Sequence, residues 1–179
     1  MAHKAQKKYV QTVKALFPEF FDNKKVLEVG SLNINGTLRN EFKDCDYTGI
    51  DLGEGRDVDV VCGGQEYDAP DNFFDSCISA ECFEHNPYWK ETFLNMVRMC
   101  KPGGLVLFTC ATEGRAEHGT SRSKPGNSPF TIKECDYYKN LTEKDFTDVI
   151  DIDALFDRYE FSVNNECFDL YFWGIKKLK

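Results

Sequence analysis

Apolar residues recur at Ala5, Tyr9, Val13 and Leu16, the spacing of one helix face, so residues 4–17 are predicted to form an amphipathic helix that Pro18 terminates. Its lysines, Lys4, Lys7, Lys8 and Lys14, belong on the solvated side. The pattern then gives way to short runs. Val26–Val29, Tyr47–Asp51, Val58–Val61, Phe74–Ser79 and Leu105–Cys110 are brief and rich in apolar or β-branched residues, as strands buried on both faces tend to be. A glycine turn over Gly30–Gly36 leads into a predicted helix at 37–42. A second helical stretch, Pro87–Met99, stops before Lys101-Pro102-Gly103-Gly104.

Strands alternating with helices or long crossovers predict a parallel sheet layered on both faces. Residues 112–128 break the rhythm with Gly, Ser, Pro, Thr and charge. A loop over 111–140 follows, of a length that belongs either to function or to disorder. Helical pattern resumes at Thr142–Asp145, a capping box with Asp in place of Glu, and again over 153–158. Two last strands are predicted at Glu160–Val163 and Cys167–Ile175. Their spacer, Asn164–Glu166, is too short for a parallel crossover, so they must form a hairpin. The expected class is α/β: a doubly wound, seven-stranded, mostly parallel sheet whose C-terminal strand alone runs antiparallel. At 179 residues, the chain fits one domain with its own core.

Composition narrows the function. A net charge of −8 works against a polyanion, so nucleic acid is disfavoured as a substrate. No apolar run approaches the roughly 20 residues that cross a bilayer, and the lysine-bearing start lacks a signal-like apolar stretch. A cytoplasmic protein without membrane association is expected. The eight cysteines form no C-x-x-C pair and are expected to be reduced. His3, His85 and His118 show no H-E-x-x-H or similar spacing, and no metal site is expected from it.

Chemistry concentrates at two strand ends. A glycine directly after a buried strand, Gly30, lets the backbone approach a ligand, and an acid in that strand, Glu28, can accept ligand hydrogen bonds. A strand-to-helix loop also needs glycine for structural reasons alone. Asp51 ends the second strand, 15 residues beyond Gly36, where a carboxylate can take both hydroxyls of an adenosine ribose, or simply form the turn ahead of Gly53. In a doubly wound sheet both positions open on one crevice.

Glu28-x-Gly30, Asp51, the run Phe74-Asp75-Ser76-Cys77-Ile78-Ser79-Ala80-Glu81-Cys82-Phe83-Glu84-His85 and Lys101-Pro102-Gly103-Gly104 together resemble class I methyltransferases in order and spacing. The resemblance implies a Rossmann-like fold and S-adenosylmethionine as cofactor, with S-adenosylhomocysteine as product. It implies that Glu28 faces the methionine end, that the loop through Gly30, Ser31, Leu32 and Asn35 wraps the cofactor, and that Asp51 and Leu52 meet the ribose. Gly63, Gly64 and Gln65 would flank the adenine, and Ala80 and Glu81 the methionine part. Two departures stand out: Leu32 occupies the place of a second glycine, and the acid usual after the third strand is missing at Gly63-Gly64.

The acceptor side is expected in the 111–140 loop. Arg115, Arg122 and Lys124 there suit a carboxylate or phosphate, and His118 a general base; a solvated lid without chemistry is the plainer alternative. His85 either transfers a proton or holds its own loop. Tyr137 is a further candidate for the acceptor pocket, and the implied partner is a small polar or anionic molecule. Asn86-Pro87-Tyr88-Trp89 resembles the N-P-P-Y element of DNA amino-methyltransferases but lacks its second proline and lies past the strand end. Two rivals remain. A nicotinamide dehydrogenase would want a fuller G-x-G-x-x-G, and a non-catalytic scaffold would keep the fold without the chemistry.

Overall fold

In the computed structural model, which describes residues 3–178, the sheet grows outward from β1 (Lys25–Val29). Its side chains alternate, so Val26 enters one core while Leu27 and Val29 enter another on the opposite face. Parallel neighbours flank it on both sides, β2 (Asp46–Asp51) and β4 (Phe74–Ala80). β3 (Val60–Val61) forms one edge beside β2, and β5 (Cys100–Ala111), β7 (Asp169–Lys176) and β6 (Phe156–Asn164) continue from β4 to the other. The order is β3-β2-β1-β4-β5-β7-β6, with β1 to β6 pointing one way and β7 antiparallel to both neighbours. This is the expected doubly wound sheet. Its last two strands form the hairpin that the short spacer demands, Asn164 paired with Asp169.

On one face lies α1 (Lys4–Leu16), capped reciprocally by His3 and Gln6. Its Val10 and Val13, with Phe17 and Phe21, pack on Val26, Ile78, Leu105 and Leu107. The other face carries α2 (Trp89–Met99), α4 (Glu143–Thr147) and α5 (Ile152–Leu155), whose Phe93, Phe146 and Ile152 join the core there, while the short α3 (Thr131–Glu134) lies within the 111–140 loop. The predicted capping box sets α4, as Thr142 and Asp145 exchange side-chain to backbone hydrogen bonds. That box carries Phe146 onto Phe108, ring centroids 4.7 Å apart, within a buried aromatic cluster with Phe93 and Phe172. Truncating one such ring to alanine costs about 3–5 kcal/mol.

Several sequence expectations need correction. The helix at 37–42 is only a 3₁₀ turn, Arg39–Glu41. Thr37 Oγ1 accepts the Arg39 N–H at 3.1 Å, a local bond that competes with helix, while buried Leu38 anchors the turn to the core. β3 is a two-residue strand at the sheet edge, paired on one side only, and both its valines are exposed. The 153–158 helix stops at Leu155, since Phe156 turns into the core and opens β6. Lys101–Gly104 lies inside irregular early β5, where the pairing with β4 shifts register and Gly103 takes φ +75°. Among the described residues no helix is long and apolar enough to cross a membrane.

Candidate functional site

Between β1 and β4 the connections diverge to opposite edges of the sheet, and such a switch point opens a crevice at the carboxyl ends of the strands. A cleft of about 440 Å³ lies there, within the usual range of small-molecule pockets. Its walls come from Val29 and Gly30 after β1, Ile50 to Leu52 on β2, Val61 to Glu66 after β3, and Glu81 and Cys82 after β4. Residues 127–131 cover it from the far side, Phe130 lying so close to Gly53 that a Cβ there would sit 2.5 Å from the ring.

Gly30 is fixed by two demands at once. It takes φ +78°, and a Cβ would lie 2.6 Å from Cys82 Cβ, so only glycine lets the β1 and β4 loops meet. Asp51 organises the floor. Its Oδ2 accepts the Leu32 N–H at 3.0 Å and its Oδ1 the Leu52 N–H at 2.8 Å. Each oxygen retains a lone pair for a further donor. Burial raises the Asp51 carboxyl above its ordinary range, and these backbone donors pull it back. Leu32 replaces the second glycine without a left-handed backbone, its side chain resting where a Cβ on Gly55 would be 2.3 Å away.

Beyond β4 the chain turns through Glu81 at φ +51°, and a buried polar cluster begins. Arg115 donates to Glu81 Oε2 at 3.3 Å and to Asp169 Oδ1 at 2.9 Å, tying the 111–140 loop to the ends of β4 and β7. His118 Nδ1 lies 3.1 Å from the Ala116 carbonyl. A carbonyl only accepts, so Nδ1 carries the proton and Nε2 the lone pair, 3.9 Å from Glu81 Oε2. The rings of His85 and His118 meet edge to face at 5.0 Å, and Tyr138 closes on both. Burial, then His118, depresses His85 to about 3, and burial also lowers His118, so both imidazoles are neutral at pH 7. Burial likewise lifts Glu81 and Glu84 above the ordinary carboxylate range. The backbone N–H groups of Glu84 and Ala111 temper the rise at Glu84 without making hydrogen bonds of normal geometry.

Of the residues singled out in the sequence, Gly30, Leu32, Asp51, Leu52, Gly64, Gln65, Glu81 and His85 line the cleft. Four others stand off it. Glu28 is buried on the α1 face, where it accepts the Tyr47 hydroxyl at 2.7 Å and burial pushes its carboxyl up to about 7. Ser31 and Ala80 are buried beside the strands, and Asn35 points to solvent while Ile34 takes its place in the wall. On the acceptor side Arg115 is spent on two acids, and Arg122 pairs with Glu117 and Asp136 of its own loop. Polar contacts therefore tie the loop to β4, to β7 and to itself. His118 stands behind His85, and Tyr138 rather than Tyr137 meets both histidines. Sequence reading missed Cys62, which precedes the glycines after β3, Glu66, two positions beyond them, and Phe130, whose role depends on a fold-back that no local signal announces.

Comparison with known proteins agrees with this architecture. A Burkholderia thailandensis 1,6-didemethyltoxoflavin-N1-methyltransferase, solved with 1,6-didemethyltoxoflavin and S-adenosylhomocysteine, is similar with a TM-score of 0.64 at 15% identity, over 96% of this chain and 78% of that one. The N-methyltransferase NodS from Bradyrhizobium japonicum WM9 is similar with a TM-score of 0.58 at 14% identity, over 97% and 96%. The [4+2]-cyclase SpnF is similar with a TM-score of 0.62 at 13% identity, over 96% and 83%. No curated protein matches the sequence significantly. A family model described as a methyltransferase domain matches residues 1–171, and with nearly the whole chain covered, the protein belongs to that methyltransferase family.

Proposed function

We propose that the protein transfers a methyl group from S-adenosylmethionine to a small polar acceptor. The observation that carries this reading is Asp51, a partly buried carboxylate at the end of β2 with one lone pair left on each oxygen, facing a cleft of about 440 Å³. The donor set fits the cofactor. Asp51 suits the two ribose hydroxyls, Ile50, Val61 and Cys62 offer an apolar slot for a flat ring, and Gln65 and Glu66 supply polar edges beside it. Gly30 and Glu81 would border the methionine end. When bound, the cofactor supplies an activated methyl on a sulfonium, so the chain's own task is to align the acceptor and exclude water. His85 and Tyr88 line the stretch of cleft beyond Glu81, where that alignment would occur.

Membership of the methyltransferase family and the S-adenosylhomocysteine bound in the Burkholderia neighbour support the reading. The dinucleotide alternative loses support from the fold. In dinucleotide sites a helix N-terminus after β1 receives the pyrophosphate; here only a 3₁₀ turn follows, nine residues beyond Gly30, and the Leu32 N–H is already given to Asp51. With Arg115 and Arg122 paired internally, a neutral acceptor bearing a hydroxyl or amine fits better than an anion. Incubation with methyl-labelled S-adenosylmethionine and a panel of small alcohols, phenols and amines should label at least one member. Cofactor binding with no label in any acceptor would overturn methyl transfer and favour the scaffold reading.

A further inference from the structure

Glu84, His85 and His118 each offer one ligand atom, and these atoms lie within 4.8 Å of one another in a buried setting. Chain spacing conceals the group, because the tight turn at Phe83–His85 brings two of its members and the 111–140 loop returns the third. From this juxtaposition we infer a binding site for one divalent first-row transition-metal ion, at the edge of the cleft beside Glu81.

Unsatisfied polar atoms point to a ligand. Glu84 is 0% exposed and neither of its carboxylate oxygens has a hydrogen-bond partner, while His85 is 5% exposed and its Nδ1 has none. Burying such groups without partners is costly. The nearby guanidinium, Arg115, is committed to Glu81 and Asp169, and among the described residues no side-chain cation pairs with Glu84. His118 is already arranged as metal-bound histidines usually are, one nitrogen donating to a backbone carbonyl and the other holding a lone pair. Gly119 allows the loop to close here, since a Cβ on it would lie 2.6 Å from His85 Cε1.

Two imidazoles and one carboxylate suit manganese, iron, cobalt or zinc, whereas magnesium and calcium favour oxygen ligands throughout. Metal to ligand lengths of about 2.0–2.2 Å span donors up to about 4 Å apart, so small side-chain rotations complete the site. A second cluster, His3, Cys167 and Asp169, is less suited, because Arg115, Gln6 and Tyr171 already occupy its carboxylate. With three protein ligands, an ion keeps positions open, and an acceptor hydroxyl is the class of ligand that would fill one. That last extension rests on the methyl-transfer reading; metal binding itself does not.

The test is titration of the chelator-treated full chain with Co²⁺ alone, followed by visible d–d absorption, with Zn²⁺ competition for affinity. One Co²⁺ per chain should bind, without the thiolate charge-transfer band that a cysteine site would show. His85→Ala and His118→Ala should each weaken binding by at least about 100-fold. Glu84→Gln keeps the shape, removes the charge and should fold as well as wild type, and it too should weaken Co²⁺ binding at least about tenfold. Absence of saturable binding, a thiolate band, or affinity unchanged in the three variants would overturn the site. Neither cofactor nor acceptor is present in this assay, so its failure leaves the methyl-transfer reading standing, and failure of that reading leaves the metal site standing.

Discussion

Replacing Arg115 with alanine is expected to destabilise the protein by about 3 kcal/mol. The guanidinium joins Asp169, whose side chain is fully buried, to Glu81, whose side chain is 5% exposed. Deleting one partner of such a buried pair typically costs about 3–5 kcal/mol, because the remaining charge is left without compensation. Gln6 Nε2 at 3.4 Å and His3 Nε2 at 3.0 Å still approach Asp169, which holds the loss near the lower figure. In a chain of this size each kcal/mol lowers Tm by about 2–4 °C, so thermal unfolding followed by far-UV circular dichroism should show a drop of about 6–12 °C. Arg122→Ala is the internal control. Its pairs with Glu117 and Asp136 are exposed, and exposed pairs contribute little, so its Tm should match wild type. A Tm for Arg115→Ala within about 2 °C of wild type would refute the reasoning that this bridge pins the loop.

Other outcomes follow from the same geometry. Glu28 is buried with its carboxyl raised from 4.5 to about 7; the folded state therefore holds a proton that the unfolded state releases, and stability should fall as pH rises from 4.5 to about 7. The Glu28 share of that loss is about 3 kcal/mol, and because buried Glu81 and Glu84 are raised as well, urea titrations across that range should show a fall in wild type that is smaller by about this amount in Glu28→Gln. Gly30→Ala should destabilise by about 2 kcal/mol or more, from left-handed strain and the clash with Cys82, read as a shifted urea midpoint. Phe130→Ala should leave Tm nearly unchanged, because the ring is only partly buried, yet increase protease cleavage near residues 127–135 as the cover over Gly53 loosens.

Much of the fold was legible because strands buried on both faces leave continuous apolar runs, and because the three-residue spacer after Val163 admits only a hairpin. The position of Asp51 was legible for a similar reason: the last residue of a buried strand opens on the crevice, whether it serves as a ligand group or as the turn ahead of Gly53. Failures cluster where side chains act across long sequence distances. Helix propensity at 37–42 was overridden by the Thr37 turn and by Leu38 plugging the core. Glu28 faces the methionine end of the cofactor by the family resemblance alone; strand alternation sets its carboxylate against Tyr47, a contact that sequence spacing does not announce. Basic residues in the 111–140 loop read as an anion site because their acidic partners, Glu81, Asp136 and Asp169, are separated from them by 14 to 54 positions. The same distance hid the meeting of His118 with Glu84 and His85.

The most direct test of the central claim is isothermal titration of S-adenosylhomocysteine, and separately of NAD, into the full chain and into Asp51→Ala. S-adenosylhomocysteine is expected to bind once per chain and NAD to produce no binding heat. Asp51→Ala should weaken the S-adenosylhomocysteine complex by about 30-fold, the equivalent of about 2 kcal/mol for a lost pair of charge-assisted hydrogen bonds, with the fold retained and Tm lowered only by the loss of the Leu32 and Leu52 N–H bonds. An equal Kd in wild type and variant, or binding of NAD in place of S-adenosylhomocysteine, would contradict the account.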